Sequence, residues 1–142
     1  MNTYVIDASI SVKWFTDAEL EPDSPLADEV LRAIAAQEIR TVQPAHWPAE
    51  VLAALARLQP ELAPQLANLL SILELPIETE IEDYELATQL AVNLKHHFFD
   101  TLYHAIALNR GACLLTADRR YFRKAKRRGS IALLEDWTTL QA

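Results

Sequence analysis

Short apolar runs of strand character alternate along this chain with longer segments of helical period, which predicts an α/β domain whose parallel sheet is covered by helices on both faces. Two further observations support that class. The 142 residues amount to one ordinary domain, residues 1–142, long enough to bury a substantial core. An apolar fraction of 51% with only two glycines argues for a compact, helix-rich chain.

The elements follow in order. Residues 3–7 read as a first strand, and Ser9 opens a short helix through Phe15 as a good N-cap type. The chain turns through residues 19–23, and Ser24 is the expected cap of a helix striped by Leu26, Val30, Leu31 and Ile34. Residues 39–43 give a second strand. Pro44 leads from it into a helix around Glu50, where Pro48 fits only in the first turn. Residues 60–75 form another helix, with Leu66, Leu69, Leu70 and Leu73 on one face, and Leu75-Pro76-Ile77 reads as a brief edge strand. Helical spacing resumes from Asp83 to Lys95 and again from Asp100, stopping at Arg110-Gly111. Residues 112–116 are the next strand, a basic helix ends at Gly129, and residues 131–134 supply the last strand. No internal repeat, low-complexity tract or interdomain linker interrupts the pattern.

Composition excludes several classes. No apolar stretch approaches the ~18 residues that cross a bilayer, so no membrane association is expected. The N-terminus lacks a basic region followed by an apolar one, which makes the cytoplasm the expected compartment. The single cysteine, Cys113, sits in an apolar strand as a small hydrophobe and fits a reducing compartment. The formal charge is −7, which by itself disfavours nucleic acid. Distribution qualifies the sum, because seven of the 13 basic residues fall between Arg119 and Arg128.

Four acids stand where a parallel α/β fold gathers its ligands. Asp7 closes the first strand and Asp118 follows the 112–116 strand, both at carboxyl ends of strands. Glu50 and Asp100 open helical patterns and would face the same region. Two carboxylates about 5 Å apart at an effective dielectric of ~20 repel by roughly 3 kcal/mol, so four together call for cations or raised pKa values. Mg²⁺ and Mn²⁺ prefer such hard oxygen ligands. Each acid also has a plain reading as a helix cap or a partner of the helix dipole; their combination favours the functional one.

Four ordered blocks resemble the PIN domain, and more narrowly the VapC-like ribonuclease toxins of toxin-antitoxin pairs. They are Val5-Ile6-Asp7-Ala8-Ser9, Pro48-Ala49-Glu50-Val51-Leu52-Ala53-Ala54-Leu55, the stretch from Phe99-Asp100-Thr101-Leu102-Tyr103-His104 to Leu108, and Leu114-Leu115-Thr116-Ala117-Asp118-Arg119-Arg120-Tyr121. They span nearly the whole chain in family order. The resemblance implies a three-layer α/β/α domain with a short parallel sheet. It also implies Mg²⁺- or Mn²⁺-dependent cleavage of single-stranded RNA, leaving a 5′-phosphate and a 3′-hydroxyl. Asp7, Glu50, Asp100 and Asp118 match the family's metal-coordinating acids, with Glu50 expected to act through water. Ser9 and Thr116 match hydroxyl positions that orient a carboxylate or a metal-bound water. A cognate antitoxin and a homodimer are the implied partners; the leucine-rich stretch from Val51 to Leu75 reads either as the dimer interface or as a fully buried helical hairpin.

Arg119 and Arg120, nearest Asp118, are the expected contacts to RNA phosphates. His104, four residues after Asp100, departs from the family pattern and is expected as a partly exposed structural histidine. His96 and His97 read as a solvated helix end, since no Cys or second spaced His completes a Zn²⁺ set. His46 carries no signal. Two rival functions remain open, a non-toxic PIN nuclease of RNA maturation or decay and a catalytically silent PIN scaffold. A haloacid-dehalogenase-type phosphatase would need a second Asp where Ser9 stands.

Overall fold

The computed structural model describes residues 1–16 and 21–142. Its elements are β1 (Thr3–Ile6), α1 (Ala8–Ser11), α2 (Ser24–Ala35), β2 (Arg40–Thr41), α3 (Trp47–Leu58), α4 (Ala63–Ile72), α5 (Ile81–Leu94), α6 (Phe98–Asn109), β3 (Cys113–Thr116), α7 (Arg119–Ala125), β4 (Ile131–Leu133) and α8 (Trp137–Leu140). The turn expected through residues 19–23 lies partly outside the described residues. Ser24 is not the cap of α2. Asp23, in the left-handed region at φ 64°, precedes the helix, and the Ser24 hydroxyl donates to the Glu21 carbonyl instead. Ala27, Val30 and Ala33 form the buried stripe, with the expected Leu26 and Ile34 partly buried at its margins.

All four strands run parallel in the order β2-β1-β3-β4. Alternate side chains along each strand feed opposite faces. Val5 and Leu114 join a core with Trp47, Val51, Leu55, Leu90, Tyr103, Ile106 and Tyr121. Tyr4, Ile6 and Leu115 join a second core with Ile10, Val30 and Trp137. Helices α3 to α7 therefore cover one face and α2 and α8 the other, a three-layer α/β/α architecture.

The second strand is shorter than the sequence suggests, because Gln43 leaves the sheet with its main chain. Its N–H donates to the Pro76 carbonyl and its carbonyl accepts from Glu78, reducing the expected edge strand at residues 75–77 to one parallel bridge between Gln43 and Ile77. Its buried side chain turns back to β1. Oε1 accepts from the Ile6 N–H and Nε2 donates to the Ile6 carbonyl, both at 2.8 Å.

Helices α5 and α6 form an antiparallel pair that carries Asp100 to the sheet edge. Asp83, 1% exposed, closes the capping box of α5 through the Glu80 N–H. It also accepts from Asn109 and from Arg110 at 2.7 Å at the end of α6. Burial works to raise the Asp83 pKa, and these hydrogen bonds outweigh it and hold it below the ordinary value. Arg110→Ala would leave a buried carboxylate short of its cation. It is expected to destabilise the fold by about 3 kcal/mol, read as a shift in the urea midpoint; a change within experimental error would show the pair to be dispensable.

His104 is fully buried, which corrects the expected partial exposure. One ring nitrogen meets the Tyr121 hydroxyl at 2.9 Å and the other the Gly129 carbonyl at 2.8 Å, so the residue ties α6 to α7 and to the turn before β4. Because a carbonyl only accepts, Nε2 carries a proton. Burial keeps the ring below its ordinary pKa. No described helix is long and apolar enough to cross a membrane.

Candidate functional site

The carboxyl edge of the sheet brings Asp7, at the end of β1, beside Thr116, the last residue of β3. Asp7 Oδ2 accepts hydrogen bonds from Ser9 Oγ at 2.5 Å and from Thr116 Oγ1 at 3.0 Å. Each hydroxyl is itself held by a backbone N–H. Ala117 donates to Ser9 Oγ and Asp118 to Thr116 Oγ1, both at 3.0 Å. The two hydroxyls thus hold one oxygen of Asp7, and its other oxygen has no hydrogen bond among the described residues.

Asp118 caps α7, accepting the Tyr121 N–H on Oδ1 at 3.0 Å, so the cap and the site share one side chain. Asp100 lies in the first turn of α6. Glu50 lies in the first turn of α3 and accepts the Tyr103 hydroxyl at 3.2 Å. These acids act on one another. Asp7 is pushed up to about 6, first by burial and then by the charges of Asp100 and Asp118 against the lowering effect of its two hydroxyl donors. Glu50 is pushed up to about 7 by burial, then by Asp7 and Asp100. Burial and the same charges keep the Tyr103 hydroxyl protonated well above its ordinary range.

His96 belongs to this cluster rather than to a solvated helix end. Lys95 ends α5 in the left-handed conformation at φ 52°, and the side chain of His96 that follows is 7% exposed. Its Nε2 lies 2.8 Å from Asp100 Oδ2, and its Nδ1 lies 3.2 Å from Lys124 Nζ. A lysine ammonium only donates. Nδ1 is therefore the acceptor, and the proton on Nε2 goes to Asp100. His96, Asp100 and Asp118 each offer a ligand atom within 4.8 Å of the others. With Nε2 holding Asp100, the imidazole orients the carboxylate toward Asp118. His96→Ala is expected to weaken Mn²⁺ binding about ten- to a hundredfold, while His96→Gln, which keeps an N–H donor, retains part of it. Calorimetric Mn²⁺ titration of both variants reads this; equal affinities in all three proteins would remove His96 from the site.

Two clefts flank the acids. One, of about 370 Å³, is lined by Ser9, Lys13, Glu50, Arg57 and Asp118 among others. The other, of about 350 Å³, is lined by Ala91, Lys95, His96, His97, Arg120 and Lys124. Arg120 faces this second cleft, whereas Arg119, 63% exposed, pairs with Glu135 at 2.7 Å. A larger cavity of about 760 Å³ lies between α2 and α8, lined by Glu29, Arg32 and Trp137 among others and remote from the acids. Sequence reasoning missed His96, whose signal depends on Lys124 arriving from α7.

A covered parallel sheet with carboxylates gathered at its carboxyl edge, two of them with raised proton affinity, has the donor set for a divalent cation that prefers oxygen ligands. The chain belongs to the PIN domain family, whose model matches residues 4–127. Among solved structures, PAE2754 from Pyrobaculum aerophilum is similar at a TM-score of 0.68 and 20% identity, covering 99% of this chain and 96% of that one. VapBC2 from Rickettsia felis, bound to a DNA fragment from its promoter, is similar at a TM-score of 0.63 and 16% identity, covering 92% and 96%. Comparison with curated proteins returns no match.

Proposed function

We propose that this protein is a metal-dependent endoribonuclease that cuts single-stranded RNA, and that it is the toxin of a toxin-antitoxin pair. The observation that carries the nuclease reading is the convergence of Asp7, Asp100 and Asp118 with Glu50 at the sheet edge of a PIN-family chain. Asp7, Asp100 and Asp118 would hold Mg²⁺ or Mn²⁺ directly, and Glu50 through water. A bound ion neutralises charge on the scissile phosphate and acidifies the attacking water. Ser9 and Thr116 fix Asp7, and His96 fixes Asp100, so the carboxylates need little rearrangement as charge develops. Water attacks phosphorus and the 3′-oxygen leaves, giving a 5′-phosphate and a 3′-hydroxyl.

Arg120 and Lys124, with Arg119 once released from Glu135, would hold flanking phosphates. The toxin reading is supported by the ordered sequence blocks and by the similarity in fold to VapBC2, a toxin-antitoxin complex. A cognate antitoxin and a homodimer are its partners, the dimer using the exposed Leu58 at the end of α3, Leu62 just before α4, and Leu69 and Ile72 of α4; the cytoplasm is the compartment. Incubation of the purified protein with a loop-containing RNA and Mn²⁺ or Mg²⁺ tests the chemistry, with cleavage expected to stop in EDTA. Undiminished cleavage in EDTA would overturn it. Harmless overexpression, with no small antitoxin reading frame beside the gene, would favour the maturation or decay reading instead.

A further inference from the structure

Phe99 is an exposed aromatic ring set beside the acids, and the fold holds it there. It is 57% exposed and immediately precedes Asp100. Its neighbour Phe98 turns inward and stacks on Tyr84 at 6.2 Å, with ring planes 10° apart. Phe99 instead leans on Phe98 at 6.0 Å and on His46 at 5.1 Å, and His46 in turn meets Tyr103 edge-on at 4.8 Å. A chain of rings thus props Phe99 from behind and leaves a face open.

The space it bounds is a cleft of about 280 Å³ lined by His46, Ala49, Glu50 and Phe99. Both ring nitrogens of His46 are shielded from solvent, so the ring presents its apolar surface to the cleft. Nε2 lies 3.6 Å from Glu50 Oε2, beyond hydrogen-bond length. Apolar ring faces next to a carboxylate that reaches solvent match a ligand with a flat π-face and a polar edge.

We infer that His46, Ala49 and Phe99 form a nucleobase subsite, in which the base adjoining the scissile phosphate stacks on Phe99 and turns its polar edge to Glu50. The inference rests on the nuclease reading and specifies its substrate. An aromatic platform accepts any base, because each has a π-face, and only single-stranded nucleic acid can splay a base out to it. Phe99 and Asp100 are adjacent in the chain, which puts the platform within one nucleotide of the acids.

The test compares wild type, Phe99→Ala and Phe99→Trp on an RNA oligonucleotide cut at one position, with intact or abasic nucleotides on either side of the scissile bond. Phe99→Ala is expected to raise KM about five- to a hundredfold with kcat nearly unchanged, and Phe99→Trp to restore KM. Removing one flanking base should impose the same penalty on wild type and none on Phe99→Ala. An equal penalty in both proteins overturns the subsite and leaves Phe99 to a protein partner. Stacking is read without cleavage as quenching of 2-aminopurine at that position by Asp7→Asn protein. Quenching that vanishes in the Asp7→Asn, Phe99→Ala double variant supports the subsite even if wild type cuts no RNA; quenching unchanged by the second substitution refutes it.

Discussion

Replacing Asp7 with Asn is expected to abolish RNA cleavage while raising the melting temperature of the metal-free protein. Asn keeps an oxygen to accept from Ser9 and Thr116, so the geometry at the end of β1 survives. It removes a buried charge that Asp100 and Asp118 repel. Loss of one ligand forfeits several kcal/mol of charge stabilisation, a fall in kcat of about 10²- to 10⁴-fold. The raised pKa of Asp7 corresponds to about 1–3 kcal/mol of strain relieved at pH 8. The opposite signs separate chemistry from misfolding, because a damaged fold loses activity and stability together. Cleavage rates paired with thermal melts in EDTA decide it. A variant that melts below wild type would show Asp7 to be chiefly structural.

In metal-free protein Asp7 and Glu50 are also expected to contribute a loss of stability as pH rises from about 4 to 8, and divalent metal to reverse that loss. The half-buried His46 and the buried His104, whose pKa values are lowered, contribute in the opposite direction. Asp7 and Glu50 titrate at about 6 and 7 in the fold, against ordinary values of 3.8 and 4.5. Between those limits the two acids of the folded chain hold protons the unfolded chain has released, so their contribution to stability falls with rising pH until both are ionised. A cation competes with the same protons. Its affinity should therefore climb over this window, by up to about tenfold per pH unit for each proton displaced. Melts across pH with and without Mn²⁺ show the first effect. Titrations near pH 6 in buffers of different ionisation enthalpy show the second as proton release. A pH profile unchanged by Asp7→Asn, together with buffer-independent heats, would mean that the acids do not share one field.

Much of this arrangement is legible in the chain because parallel α/β folds confine ligands to strand ends and helix starts. Asp7 and Asp118 follow strand patterns, Glu50 and Asp100 open helical ones, and the structure couples all four electrostatically. What local pattern cannot carry is the partner arriving from elsewhere. His96 looks like a solvated helix end until Lys124 of α7 fixes its tautomer, and His104 looks partly exposed until Tyr121 and Gly129 close over it. Ser24 has the composition of a cap, but the left-handed Asp23 takes the position before α2. Phe99 reads as one more apolar residue of a helix start, since burial at that position depends on whether His46 covers it or only supports it.

The side-chain clamp between Gln43 and Ile6 has a consequence for how the protein behaves among other chains. Where β2 ends, the Ile6 N–H and carbonyl would present an open ladder edge beside the acids, a template for strand addition or aggregation. The Gln43 amide occupies both groups as a surrogate peptide unit, so an extended segment cannot zip onto the sheet there. That lip of the acidic cluster is thereby closed to ligands that bring only backbone.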